Sequence, residues 1–338
     1  MTSALDPALI ERFTTELDRL WPVEDRAPGA KLGLAVSGGP DSLALLLLAA
    51  AALPGEIAVA SVDHGLRDES ASEVAFVERV CAQLDVPCTA LRVRVAGGNM
   101  QARAREARYA ALVAWARDSE LEALATAHHA DDQAETLLMR LARGSGLSGL
   151  AGVRGASMLD ADDDRDPLPL VRPLLNWRKE ELEALVKEAG IEPVRDPSNT
   201  QSRFDRVRVR QHLAQHDWLE AEALATSAEH LAEAWRAIEW YAQLDWEEMV
   251  ERESDATAIR YAANVPRVIQ IETVRRIISK LGGRVSRSEA GRAADRLWRG
   301  ENASLGGVLA VPRVEIIAKV GVEMRVWRFT PEPPRRVH

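Results

Sequence analysis

The chain has 338 residues, 46% of them apolar and 28% charged, which fits a folded protein of two domains, or one large domain with an appendage. No apolar run approaches the roughly 20 residues of a membrane span, the opening MTSALDPALIERF lacks the basic flank of a secretory signal, and two cysteines, Cys81 and Cys88, are too few for a disulfide framework or a metal cluster, so the cytoplasm is the expected compartment. The net charge of −9 argues against a nucleic-acid partner only as an average over the chain, because two stretches are locally basic.

Taken in chain order, strand and helix signals alternate through the first 190 residues. KLGLAVS (31–37) is short, apolar and followed by glycines, as a buried parallel strand should be. LALLLLAAAAL (43–53) reads as a buried helix. EIAVASVDH (56–64) is a second strand, and the helix after it opens with Ser70 and Glu73, a capping-box pair. VPCTALRVRV (86–95) is a third strand and 99–121 a long helix. LATAHH (124–129) is a fourth strand, running into the helix DDQAETLLMRLARG, for which Asp131 is the expected cap. Such alternation predicts an α/β fold with a parallel sheet covered on both faces. Residues 145–170 read as a long Gly-, Asp- and Pro-rich loop, before a helix that runs from Trp177 and ends at Gly190. Beyond about residue 215 the character changes. Residues 216–253 are helical, acidic and carry four tryptophans, and the last hundred mix a basic helix with the strand-like runs VLAVPRVEIIAKV and VEMRVWRF. A boundary at 215 gives domains 1–215 and 216–338, the second smaller and mainly helical.

The basic stretches are 195–210, with five arginines against two aspartates, and 261–299, with nine Lys or Arg against three acids. Each alone is readable as a solvated helix face; two of them in an acidic chain point to an anionic macromolecular partner.

The turn between the first strand and its helix, SGGPDS, carries the most chemistry. Unpaired N–H groups and the helix dipole both point at such a turn, which makes it an anion site. Gly38 and Gly39 keep side chains out of the way, Ser37 and Ser42 add hydroxyls, and Pro40 belongs to the same binding turn. Asp41 would repel a phosphate unless a divalent cation lay between them, so it predicts Mg²⁺. The phosphate loop GxxxxGK[ST] fails because no lysine follows, and the dinucleotide fingerprint GxGxxG fails on spacing.

SGGPDS resembles the pyrophosphate loop of the N-type ATP pyrophosphatases, the PP-loop superfamily. The resemblance implies ATP with its β and γ phosphates on this turn, cleavage at the α phosphate, and adenylation of a substrate oxygen. Further pieces resemble the tRNA(Ile)-lysidine synthetase family: VDHGLR (62–67), AREARY (104–109), HHADDQAETLLMRLARGSG (128–146), RPLL (172–175), and DPSN followed by FDRVRVR (196–210), in the expected order. They cover about half the chain. What this implies is ATP-dependent joining of L-lysine to C2 of the wobble cytidine of a CAU-anticodon tRNA(Ile). It also implies ATP contacts from His64, Arg67 and Arg143, catalytic roles for Asp41, Arg105, Arg108, His129 and Asp132, and lysine binding by Asp132 and Glu135. Arg203, Arg206, Arg208 and Arg210 are expected to meet tRNA, through phosphate rather than base contacts. Which of His128 and His129, and of Arg105 and Arg108, acts in catalysis stays open. Where the family often has Asn, this chain has Val207, whose side chain cannot hydrogen-bond.

Two rival readings are a tRNA-thiolating PP-loop enzyme and a tRNA-binding protein on a degenerate nucleotide fold. Thiolation needs a sulfur carrier, and Cys81 in a helix and Cys88 in a strand lack a loop setting. Against degeneracy, every polar residue of SGGPDS is intact. Nothing in the sequence points to a protein partner.

Overall fold

A computed structural model describes residues 5–63, 69–93, 100–159, 167–194, 205–216, 218–253, 257–317 and 321–332. The chain divides into two compact units, Met1–Ala232 and Glu233–His338, and the division falls inside one long helix.

The first unit is built on a six-stranded sheet of order β3-β2-β1-β4-β6-β5, with β1 at Leu32–Ala35, β2 at Ile57–Asp63, β3 at Cys88–Arg92, β4 at Ala123–Ala125, β5 at Ala156–Leu159 and β6 at Leu168–Val171. All neighbours pair in parallel except β5, which runs antiparallel at the edge. The stretch 145–170, expected as one loop, therefore contains two strands and a short helix, α6 (Leu147–Leu150). LPLV is too brief and Pro-interrupted to show a strand period, and its pairing with β4 is what makes it a strand.

Five helices cross between these strands or flank them: α1 (Pro7–Leu20), α2 (Pro40–Ala52), α3 (Glu69–Gln83), α4 (Met100–Asp118) and α5 (Ala130–Ala142). After the sheet come α7 (Lys179–Glu188) and α8 (Asp205–Gln215). Helix α2 is buried at every position from Ser42 to Ala49, as an apolar helix without a polar face must be. Helix α1 lies outside the strand–helix alternation. It is capped by Asp6, whose carboxylate accepts from the Ala8 N–H at 2.9 Å, and it buries Phe13 and Leu17 in the core that holds α2 and Trp177. Arg12 fixes it further, with its guanidinium 4.1 Å over the Trp177 ring and hydrogen bonds to Glu181 and the Asn176 carbonyl.

Strand order places the chemistry. The chain leaves β1 toward β2 and β3, then returns to the other side of β1 for β4, so the loops after β1 and β4 part in opposite directions and leave a crevice at the strands' carboxyl ends.

Helix α9 (Ala221–Met249) contains the division between units. The second unit adds α10 (Arg267–Lys280), α11 (Arg287–Trp298) and a five-stranded antiparallel sheet of order β7-β8-β11-β10-β9. Its strands are β7 (Val250–Arg252), β8 (Ile259–Ala262), β9 (Ala303–Leu305), β10 (Val308–Ile317) and β11 (Val322–Pro331). The two strand-like runs form the β10–β11 hairpin, so the expected mainly helical unit carries a complete sheet as well. Its core joins Ile271, Val274 and Ile277 to Tyr261 and Trp327, whose rings meet edge to face at 5.7 Å. No helix among the described residues is long and apolar enough to cross a membrane.

Candidate active site

The turn after β1 has the geometry of an anion cradle. Gly38 sits at φ +83°, and a Cβ there would come within 3.3 to 3.4 Å of Val194, Phe76 and Val77, so both its conformation and its surroundings call for glycine. Val194 N–H donates to the Gly38 carbonyl at 2.9 Å, tying the turn to the segment after α7. Gly39 is the N-cap of α2 and Pro40 its first residue. The Ser42 hydroxyl donates to the Gly39 carbonyl at 3.0 Å and accepts from the Ser37 N–H at 3.2 Å, while the Ser37 hydroxyl lies 3.3 Å away. Asp41 has its Oδ2 3.6 Å from the His129 ring, and its Oδ1 is buried without a hydrogen-bond partner.

The helix after β4 supplies the opposite wall. Strand β4 ends at Ala125, earlier than the expected LATAHH, so His128 and His129 follow the strand. His129 occupies the N-cap position of α5, its backbone N–H donating to Asp132 Oδ2 at 3.3 Å. Asp131, expected to be the cap, instead accepts from the Lys179 N–H at 2.9 Å and so serves the start of α7. An orphan donor on a neighbouring helix is the better partner for a side chain that points away from its own turn.

Around His129 stand three carboxylates: Asp41 at 3.6 Å, Asp131 at 3.6 Å and Asp132 at 3.5 Å. Burial alone would lower its pKa, but the close carboxylates of Asp131, Asp41 and Asp132 outweigh it and raise the value to about 10. Asp131 moves the other way: burial opposes its ionisation, and the His129 contact, the Lys179 N–H and Arg178 overcome that to hold it well below the usual carboxylate range. His128 has the reverse environment. Burial first, then the charges of Arg172, Arg105 and Arg108, lower it to about 4 against the pull of Asp132, and Thr126 Oγ1 lies 3.0 Å from its Nδ1. Two adjacent histidines thus hold different protonation states near neutral pH, one cationic among acids and one neutral among arginines.

Ser37, Gly39, Asp41 and Ser42 share an open cavity of about 370 Å³ with Arg108, His128, Asp132 and Arg206. Arg105, one turn from Arg108 on α4, stands outside this cavity in a neighbouring one. Glu135 is buried and bound to α8: Arg210 Nε donates to its Oε1 at 2.7 Å, and Arg206 Nε lies 3.8 Å from Oε2. Residues expected to meet lysine and residues expected to meet tRNA therefore contact each other. Arg143 is the exposed C-cap residue of α5 and does not line the cavity, and Arg208 is exposed on α8. His64, Arg67 and Arg203 lie outside the described residues.

Sequence reasoning assigned no role to Thr126, to the buried Ser61 on the cavity wall, or to Arg172 of RPLL. The signal for Thr126 and Ser61 was a hydroxyl near the end of a buried strand; Arg172 carried a motif without a function. Cys81 is buried on α3 and Cys88 half-buried on β3, and a hydrogen bond donated to Cys88 together with burial pushes the Cys81 thiol up, away from a reactive thiolate. Among the described residues no group of three or more His, Cys, Asp or Glu could hold a metal ion by itself.

Comparison with known proteins agrees with this fold. Residues 10–217 match the family model described as a PP-loop domain. A tRNA(Ile)-lysidine synthase of Novosphingobium aromaticivorans is 44% identical over 310 residues, covering 91% of each chain, and one of Zymomonas mobilis is 38% identical over 311 residues, covering 90% of each. Among solved structures, the U34-tRNA thiolase NcsA of Methanococcus maripaludis, with its 4Fe-4S cluster, aligns with a TM-score of 0.53 at 15% identity. That alignment covers 68% of this chain and 82% of the thiolase, a likeness of fold alone. With an intact phosphate turn at the switch point of its sheet and near full-length identity to the curated relatives, the chain belongs to the tRNA(Ile)-lysidine synthase family of PP-loop proteins.

Proposed function

We propose that the protein is a ligase that uses ATP to join L-lysine to C2 of the wobble cytidine of a CAU-anticodon tRNA(Ile), through an adenylated cytidine, releasing AMP and pyrophosphate. The observation that carries this reading is the identity to lysidine synthases over nine tenths of both chains. The cavity supports it with cationic and anionic groups facing each other across a phosphate turn.

In this reading the Ser37–Ser42 turn receives the β and γ phosphates on its N–H and hydroxyl donors. Arg108 faces the same cavity and offsets charge that develops on the α phosphate as the cytosine O2 attacks it. The neutral His128 lines the wall beside Arg108 and orients a reactant without adding charge. The partnerless, buried Oδ1 of Asp41 fits a divalent cation, and Mg²⁺ held there would neutralise phosphate charge. Asp132 and Glu135 hold the lysine. Glu135 reaches it by exchanging the Arg210 guanidinium for the incoming ammonium, one cation for another. Release of Arg210, with Arg203, Arg206 and Arg208, supplies phosphate contacts for the tRNA. The catalytic machinery lies within residues 1–215, residues 216–338 add tRNA contacts, and the reaction takes place in the cytoplasm.

The test is incubation with ATP, Mg²⁺, lysine and unmodified CAU-anticodon tRNA(Ile), following AMP release and labelled lysine. AMP release coupled to lysine incorporation is expected. Sulfur incorporation from a supplied donor, with no lysine transfer, would overturn the reading.

A further inference from the structure

A second cavity, of about 470 Å³, lies on the β5–β6 side of the sheet, and its Arg105 is one turn of α4 from Arg108 of the first. Arg105, Tyr109 and Arg172 line it, with Ser157, Leu159 and Leu170. Arg172 is 6% exposed, and its NH1 donates to the Arg154 carbonyl at 2.6 Å and to Ser157 Oγ at 3.2 Å, which fixes the plane of the guanidinium. Its Nε is buried with no hydrogen-bond partner. The Tyr109 hydroxyl lies beside it and is likewise buried without a hydrogen bond of good geometry. Arg105 stands 5.0 Å over the Tyr109 ring, and Arg108, one turn along α4, stands 5.5 Å from it. Among the described residues, no carboxylate forms an ion pair with Arg105, Arg108 or Arg172. The acid in the wall, Glu106, is exposed.

A buried guanidinium without a counter-charge costs several kcal/mol, by the general cost of unpaired buried ions of roughly 3–5 kcal/mol, and a purely structural tether would not need three arginines on one patch. We propose that this cavity is a phosphodiester subsite, which seats the backbone phosphate next to the reacting cytidine on Arg172, Tyr109 and Arg105, with Leu159, Leu170 and the Tyr109 ring as an apolar wall for the adjoining nucleotide. The inference rests on the tRNA reading above and adds to it a fixed point close to the chemistry. The α8 arginines are paired with Glu135 or exposed, whereas Arg172 is held rigidly by its two hydrogen bonds. Such a rigid anchor sets where the cytosine O2 lies relative to the phosphate turn, and orientation of that kind is where a reaction without a protein nucleophile gains most of its rate.

The experiment uses the full chain and an anticodon stem-loop RNA with the CAU sequence, its phosphates flanking the cytidine either native or replaced by neutral methylphosphonates. Wild-type protein should lose roughly tenfold in affinity on neutralisation, the scale of one hydrogen-bonded charge contact. Arg172→Gln and Arg105→Gln should lose a similar factor on native RNA and little more on neutral RNA, and Tyr109→Phe a smaller one, with ATP affinity unchanged in all three. Arg105 is exposed, so its variant keeps the test alive should Arg172→Gln misfold. Equal losses on native and neutral RNA would overturn the subsite, as would a raised lysine requirement with unaltered RNA binding, which would make it a carboxylate site. Wild-type protein that transfers lysine yet ignores phosphate neutralisation sinks this inference alone. Wild-type protein that neither transfers lysine nor binds the RNA sinks the reading beneath it.

Discussion

At the scale of single residues, the turn after β1 and helix α5 differ in how much they disclose in advance. Ser37 to Ser42 are contiguous and their hydrogen bonds are local, so residue types and spacing suffice to read them. Gly38→Ala should be destabilising by about 1–2 kcal/mol from the left-handed backbone alone, with Val194 and Val77 leaving a methyl little room. Urea denaturation and ATP titration of the variant check this, and an unchanged midpoint would contradict it. The Glu135–Arg210 pair spans 75 positions, and no local pattern announces that two groups expected to bind different substrates bind each other. Arg210→Ala leaves the buried Glu135 carboxylate without its closest partner and should cost about 1–3 kcal/mol of stability, read as a lowered urea midpoint. It should also lower the lysine requirement if the guanidinium competes with the ammonium; a raised requirement would show that Arg210 helps to bind lysine instead.

At the scale of elements, period and length carried β1 to β4 and the helices between them, because each buries a face with its own repeat. They failed where tertiary pairing makes the element. Strand β6 has four residues with a proline among them and β5 none of the runs of a buried strand, yet together they carry Arg172 to the cavity wall. In the second unit, Thr273 of α10 donates to Asp245 of α9 at 3.0 Å, inside a core where Asp245 is 4% exposed. Burial raises the Asp245 pKa, against the pull of the nearby Tyr261 hydroxyl and the hydrogen bond from Thr273. Folding raises this value above the unfolded one, so the folded state holds the proton more tightly, and stability falls as pH climbs from the ordinary carboxylate value through the raised one and is level above it. Asp245→Asn lacks that fall. The stability of the variant relative to wild type should therefore grow between about pH 3 and neutrality, as measured by urea midpoints; a constant offset across that range would exclude the effect.

At the scale of the whole molecule, net charge is a poor guide to partners because the basic groups are unevenly balanced. In the stretch 261–299, Arg267 forks onto Asp295 at 2.6 and 2.8 Å, Arg275 and Arg287 share Glu272, and Arg296 and Arg299 share Glu301. Much of that local charge is spent within its own unit, which the residue counts do not reveal. RNA affinity should accordingly fall with salt at a slope set by a few phosphate contacts, about −0.7 to −0.9 per contact, giving a total near −2 to −4. A flat salt dependence would place binding outside electrostatics altogether. Helix α1 has a consequence in time. Its Arg12 meets Asn176 across 164 positions, and its Phe13 and Leu17 share a core with Trp177. At synthesis rates of roughly 5–20 residues per second, the first helix waits about 8 to 33 seconds for the part of its cover that Asn176 and Trp177 supply, although α2 follows much sooner. Through that interval part of an apolar stripe stands open on the nascent chain, where a ribosome-bound chaperone could bind.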